Sequence, residues 1–190
     1  MSTTPDRPEA GPPTPADIVG WWLALGAERW FVKDTGIDEA IRGRFGGAYE
    51  AAAAGRLDGW EETPEGALAL VLLLDQFPRN MFRGDPRAFA TDALARAVAG
   101  RAVARKFDAV YDNPVRRFFY LPWMHSEAID DQELCVTLCR AAGDAEGLHH
   151  AEVHADIIRR FGRFPHRNVI LGRDTTAAER AFLEAGGFAG

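Results

Sequence analysis

Two short segments carry the side chains best suited to chemistry. Phe77-Pro78-Arg79-Asn80 lies mid-chain and Phe164-Pro165-His166-Arg167-Asn168 near its end, each after an apolar, helix-like stretch. Proline cannot continue a helix and pushes the residue before it out of the α region. The pattern predicts that each copy ends a helix and holds a guanidinium and a carboxamide in a turn. Arginine offers a planar fork of donors suited to carboxylate or phosphate, and asparagine supplies a donor and an acceptor for orientation. With Arg83, Arg160, Arg163 and Arg173 close in sequence, the two corners describe an anion pocket in an otherwise acidic chain. The plainer reading is structural. Arginines in helix-ending turns also bond exposed carbonyls or pair with acids such as Asp75, Asp92, Asp156 and Asp174.

A third segment is aromatic. Phe118, Phe119, Tyr120, Leu121, Pro122 and Trp123 run directly into His125-Ser126-Glu127. An imidazole at the edge of apolar walls can be tuned for proton transfer, and Glu127 would orient it or act as a second acid or base. The plainer alternative has Ser126 capping the next helix and His125 making one buried hydrogen bond. Ser126 lacks the Gly-x-Ser-x-Gly surround of a nucleophile elbow. His150 and His154 share one helix face, but the sequence between them is Ala-Glu-Val and no third ligand is assigned, so no metal is expected. His154, on the face of Ile157, Ile158 and Phe161, is expected to point toward the core or the pocket, while His149 and His150 are solvated. No phosphate-cradling glycine loop or dinucleotide fingerprint is present, and no cofactor is expected.

These groups must be positioned by helices. Thr14-Pro15-Ala16-Asp17, Thr63-Pro64-Glu65, Asp85-Pro86, Asn113-Pro114 and Thr176-Ala177-Ala178-Glu179 all read as helix starts. Ile37, Ile41, Phe45 and Tyr49 recur every four residues on one helix. The stretch from Leu68 to Leu74 is too uniformly apolar to be amphipathic and is expected to be central. The Asp85-Pro86 helix is expected to reach about Lys106, the Asn113-Pro114 helix to end near Pro122, and a further helix to span 126–142. Strand-like alternation is absent. The expectation is an all-α single domain, 14–190, of seven or eight antiparallel helices, after a flexible Pro-rich tail over 1–13.

Composition narrows the function. The chain has 190 residues, 47% hydrophobic and 26% charged, with 28 acids against 22 Lys and Arg for a net charge of −6. That balance disfavours nucleic acid and anionic membrane surfaces as partners. No apolar run reaches the ~18 residues of a membrane span, and the Pro-rich start lacks a signal-peptide core. Cys135 and Cys139, four apart in an apolar helix, are expected to be free core thiols, which suits a reducing cytoplasm.

Taken together, Leu74 to Asn80, Phe119 to Glu127 and Phe161 to Arg173 resemble, in the same order, the hallmark segments of the family catalogued as domain of unknown function 924. The resemblance spans nearly all of the chain after Pro15. It implies a helical fold similar to tetratricopeptide repeats and supplies no activity, substrate or catalytic residues. Three functions follow from the residues. The first is a binding module for an anionic small molecule or a peptide carboxylate. Arg79, Arg83, Arg163 and Arg167 would give charge, Asn80 and Asn168 orientation, and Phe119, Tyr120 and Trp123 an apolar wall, with His125, Glu127, His154 and His166 beside them. The second is a metal-independent enzyme for acyl or phosphoryl chemistry with His125 and Glu127 handling protons. The third is a protein-interaction scaffold in which the motifs only lock helices.

Overall fold

The computed structural model describes residues 11–190, so the expected tail falls largely on positions outside the described residues; 11–14 carry no regular secondary structure. Helix α1 (Pro15–Ala24) opens with a capping box, in which the Thr14 hydroxyl accepts the Asp17 amide and Asp17 accepts the Thr14 amide. Its Trp22 is fully buried and stacks on Trp30, whose indole N–H donates to the Trp22 carbonyl at 2.9 Å. Helix α2 (Thr35–Ala53) is capped by Asp34 and buries the expected stripe of Ile37, Ile41, Phe45 and Tyr49.

The centre of the molecule departs from the proline expectation. Helix α3 (Pro64–Val71) passes through a π turn (Leu72–Gln76) directly into α4 (Phe77–Met81), so the first Phe-Pro element lies inside a continuous helical rod instead of ending it. The physical reason is local. The Phe77 amide reaches back five residues to the Leu72 carbonyl, which widens the turn where the Pro78 ring enters. Pro78 has no N–H for the Leu74 carbonyl, and the Thr91 hydroxyl donates to that oxygen instead, at 2.6 Å. The rod is central, as its apolar sequence predicts: every residue from Gly66 to Met81 except Arg79 is buried.

The other boundaries shift similarly. Asp85-Pro86 starts a 3-10 turn (Pro86–Phe89), and α5 (Asp92–Ala104) begins only after Thr91. The Asn113–Pro114 bond is cis, a 3-10 segment (Val115–Phe119) follows, and Pro122 opens rather than closes the short α6 (Leu121–Met124). Helix α7 (Ile129–Ala141) buries Cys135 and Cys139 as free thiols. Helix α8 (Ala145–Phe161) is stopped by Gly162 in the left-handed region, φ 68°, before the second Phe-Pro element is reached. Helix α9 (Ala177–Glu184) has the expected capping box from Thr176 and Glu179.

With α3 and α4 as one rod, the described residues form eight α-helices and no strand. Apolar side chains from α1 through α8 join in one core, and Ile157, Ile158 and Phe164 form a satellite with Phe182 and Phe188. The three-residue link between α7 and α8 makes an antiparallel hairpin, compatible with tetratricopeptide-like stacking. That hairpin is pinned by a buried pair: Arg117 meets Asp144 in two hydrogen bonds of 2.6 Å, and Asp144 also caps α8 through the Gly147 amide. Removing one partner of a buried pair strands the other charge in the interior. Asp144→Ala should therefore lower unfolding free energy by about 3–5 kcal/mol in urea titration, whereas Asp156→Ala, at an exposed pair on the same helix, should change it by less than about 1 kcal/mol.

Candidate functional site

Between the central rod, the 3-10 turn Pro86–Phe89, α6, α8 and the segment after α8 lies a cavity of about 640 Å³. It brings together Arg79 from the first Phe-Pro element, His166 and Arg167 from the second, and His125 after the aromatic run. Asp75 anchors the arrangement from the π turn. Its side chain is 1% exposed, and both carboxylate oxygens lie 2.9 and 3.0 Å from His125 Nδ1. Arg79, one turn on, donates to the Asp75 backbone carbonyl at 2.8 Å and lies 3.2 Å from its carboxylate. The far edge of Arg79 grips Asp92, at the start of α5, through bonds of 2.9 and 3.1 Å.

The electrostatics follow from that chain. Burial opposes ionisation of Asp75, but Arg79, His125 and Arg167 together hold its carboxyl below the usual carboxylate range. Burial, reinforced by Arg79, pushes the His125 imidazole below its usual range even though Asp75 pulls the other way. At neutral pH the pair is therefore a carboxylate and a neutral imidazole, with Nδ1–H donating to Asp75. His125 Nε2 has no protein partner among the described residues and is not sealed from the cavity. His154 donates its Nδ1–H to the His150 carbonyl at 2.8 Å, and burial pushes it down to about 4. Burial and then Arg167 push His166 down to about 4 as well.

Arg167 is the exception in this well-paired site. Its guanidinium is sandwiched between Phe89 and Phe164, 4.5 and 4.6 Å from the ring centres, and its side chain is 8% exposed. Among the described residues its side chain makes no hydrogen bond. Its nearest carboxylate oxygen, on Asp92, is 4.0 Å away, and Nε is buried with no partner. Burial and then the Arg79 charge pull its pKa down to about 10.

Several expected site residues do not reach the cavity. Asn80 is buried between Gln76 and Asp38, at 3.0 and 2.8 Å, because the continuing rod turns it toward α2. Arg83 stands at the rim but is paired with Asp38. Glu127 does not orient His125. Its carboxylate accepts the Phe164 amide at 2.8 Å and bonds Arg173 at 2.7 and 3.0 Å, and Arg173 and the Phe164 amide hold it ionised against its burial. Arg163 is bidentate to Glu179, and Asn168 lies between Glu179 and Arg173. Glu127, Arg163, Asn168, Arg173 and Glu179 thus form a lattice that holds the second corner in place. Trp123, Phe119 and Tyr120 pack in the core behind the wall, which α6 supplies through Leu121 and Met124. Ser126 accepts the Ala128 amide and donates to Asp131.

Sequence reasoning named Asp75 and Asp92 only as charge partners and missed Phe89, Phe31, Ile170 and Phe188 on the wall. The spacing of Asp75 and Arg79, one helical turn apart, was the available signal for the first. Nothing local marked the others.

A family model described as a bacterial protein of unknown function, DUF924, matches residues 18–187. The solved structure of a protein of unknown function, ATU0120 from Agrobacterium tumefaciens, is 50% identical and superposes with a TM-score of 0.88, covering 90% of this chain and 97% of that one. No curated protein matched.

The buried imidazoles make stability depend on pH. An unfolded histidine takes a proton near pH 6.5, whereas folded His154 takes one only near pH 4. In that window the unfolded state binds more protons, so stability falls as pH falls. From pH 7 to pH 5, His154 alone should remove about 2 kcal/mol, read by urea unfolding. His154→Leu should flatten the profile by that amount, and an unchanged slope would contradict this account.

Proposed function

The chain belongs to the DUF924 family of bacterial proteins of unknown function, and from that premise we propose that it binds an organic anion in this cavity, with Arg167 gripping the charged group. The observation that carries the reading is the state of Arg167. A buried guanidinium without hydrogen bonds is destabilising by several kcal/mol, and natural interiors almost always pair one. Here the two phenyl rings hold its plane fixed, Nε is buried without a partner, and the terminal nitrogens are left for the cavity that the residue lines. A carboxylate or phosphate oxygen pair would satisfy that fork.

The first corner does not share the grip. All the Arg79 bonds go to Asp75, Ala88 and Asp92, so its role is to hold those groups, and Arg167 is left as the corner guanidinium without a hydrogen bond among the described residues. Phe31, Phe89, Leu121, Met124, Phe164 and Ile170 give the wall its apolar surface, beside polar positions that include Lys33, Arg83, Glu146 and His150. A guanidinium with unused donors beside apolar surface in a cavity of this volume suits a small anion with an apolar body. Reduced Cys135 and Cys139 in the core support a cytoplasmic setting, and no helix among the described residues is long and apolar enough to cross a membrane.

Arg167→Met tests the reading in both directions. It keeps the volume between the two rings and removes an unpaired charge, so the ligand-free variant should be more stable than wild type by about 1–4 kcal/mol. In a thermal-shift series of octanoate, 3-phenylpropionate and octyl phosphate against octanol, wild type should gain about 2.7 kcal/mol from an anion at a hundredfold excess over its Kd. The variant should gain nothing. Equal shifts in both proteins, or none from any anion, would refute the assignment.

A further inference from the structure

We infer that Asp75 and His125 form a general-base dyad that activates water against an ester whose carboxylate handle sits on Arg167. This rests on the anion-binding reading and adds a reaction to it. The dyad has the required parts in place. Asp75 is sealed in the π turn, and its oxygens fix Nδ1–H as the tautomer, which leaves the Nε2 lone pair for the cavity. Among the described residues His125 is the one histidine paired with a carboxylate. The imidazole of His154 is instead tied to a backbone carbonyl, and His166 Nδ1 is buried with no partner.

The nucleophile follows from the wall. Its described lining holds no serine, threonine, cysteine or tyrosine, so no side-chain hydroxyl or thiol is positioned to carry an acyl group. Ser126, next in sequence to the dyad, is tied to Asp131 and the Ala128 amide. The nucleophile of the proposed reaction is water, which the free Nε2 can deprotonate.

In the reaction, a water oxygen attacks the ester carbonyl carbon while His125 Nε2 takes one water proton. The carbonyl π electrons move onto its oxygen, giving a tetrahedral oxyanion. The imidazolium formed is stabilised by the Asp75 carboxylate behind it. Collapse restores the carbonyl, breaks the bond to the alkoxy oxygen, and returns the proton from Nε2 to that leaving oxygen. The products are a carboxylic acid and an alcohol, and the dyad ends as it began. Arg167 keeps the substrate's own carboxylate in register through both steps.

The test uses mono-4-nitrophenyl suberate, which joins a carboxylate handle to a scissile ester. Wild type should hydrolyse it saturably, with a rate that rises with pH through one ionisation. His125→Gln should lower kcat by about 10²-fold or more while keeping its circular dichroism and its thermal shift with octanoate. Asp75→Asn should lower kcat and move the midpoint of the pH profile. Arg167→Met should raise KM by about tenfold or more. No hydrolysis by wild type, or an undiminished rate in His125→Gln, would overturn the dyad. If octanoate still stabilises wild type but not Arg167→Met, the anion site stands without the reaction. If octanoate stabilises neither, both readings fall together.

Discussion

An ionised carboxylate buried inside the central helix is the constraint from which the cavity is built. Asp75 cannot stay charged there unaided, because the interior penalises an isolated charge by several kcal/mol. Arg79 faces it from one turn away, and His125 faces it from α6. Arg79 is in turn fixed by Asp92, an acid in the first turn of α5, where the helix dipole also favours negative charge. The row Asp92, Arg79, Asp75, His125 therefore ties three helices together and sets the orientation of the imidazole. Each member is held by its neighbours, so the row behaves as one unit in which no position is independent.

The π turn makes that row possible. A regular α-helix from Pro64 onward would place Pro78 against the Leu74 carbonyl and break the rod. Widening the turn lets the proline pass, and Thr91 takes the carbonyl that proline leaves open. The same widening puts Asp75 and Arg79 on the cavity side and turns Asn80 back toward Asp38 on α2. Insertions of this kind recur at functional sites because they re-aim side chains without ending the helix. Here the apolar burial of the rod from Gly66 to Met81 holds the distortion in place.

How much of this could be read in the sequence depends on the range of the forces involved. Helix starts were legible because caps act within four residues, as at Thr14, Thr63 and Thr176. The stripe of Ile37, Ile41, Phe45 and Tyr49 and the centrality of the Leu68–Leu74 stretch were legible because periodicity is local too. The path through Pro78 was not, since its compensation comes from Thr91, which lies outside the helix. The cluster of Arg79, His125, His166 and Arg167 was visible as residue types, but which arginine keeps free donors depends on Asp92 and Phe89, both on other elements. Glu127 looked like the partner of His125 because it is two residues away. It is instead captured by Arg173, and a carboxylate fifty positions upstream takes its place.

The two Phe-Pro corners carry the same letters and end in opposite physical states, and that asymmetry is what shapes the site. Both guanidinium groups approach the same carboxylate. Arg79 arrives from a helix, where its stem is fixed, and takes Asp92 in a two-point grip. Arg167 arrives from a 3-10 turn held between two phenyl rings and lies 4.0 Å from Asp92 Oδ2, which Arg79 already bonds. Were both arginines paired, neither guanidinium would have donors left for an anion. Were neither paired, two like charges would share a buried space, and the penalty would fall on the central helix itself. With both Asp92 oxygens taken by Arg79, Arg167 is left without a hydrogen-bond partner among the described residues, immobilised by stacking in the cavity that the neutral imidazole of His125 also lines. The interior accepts that defect because the rest of the row is so fully paired.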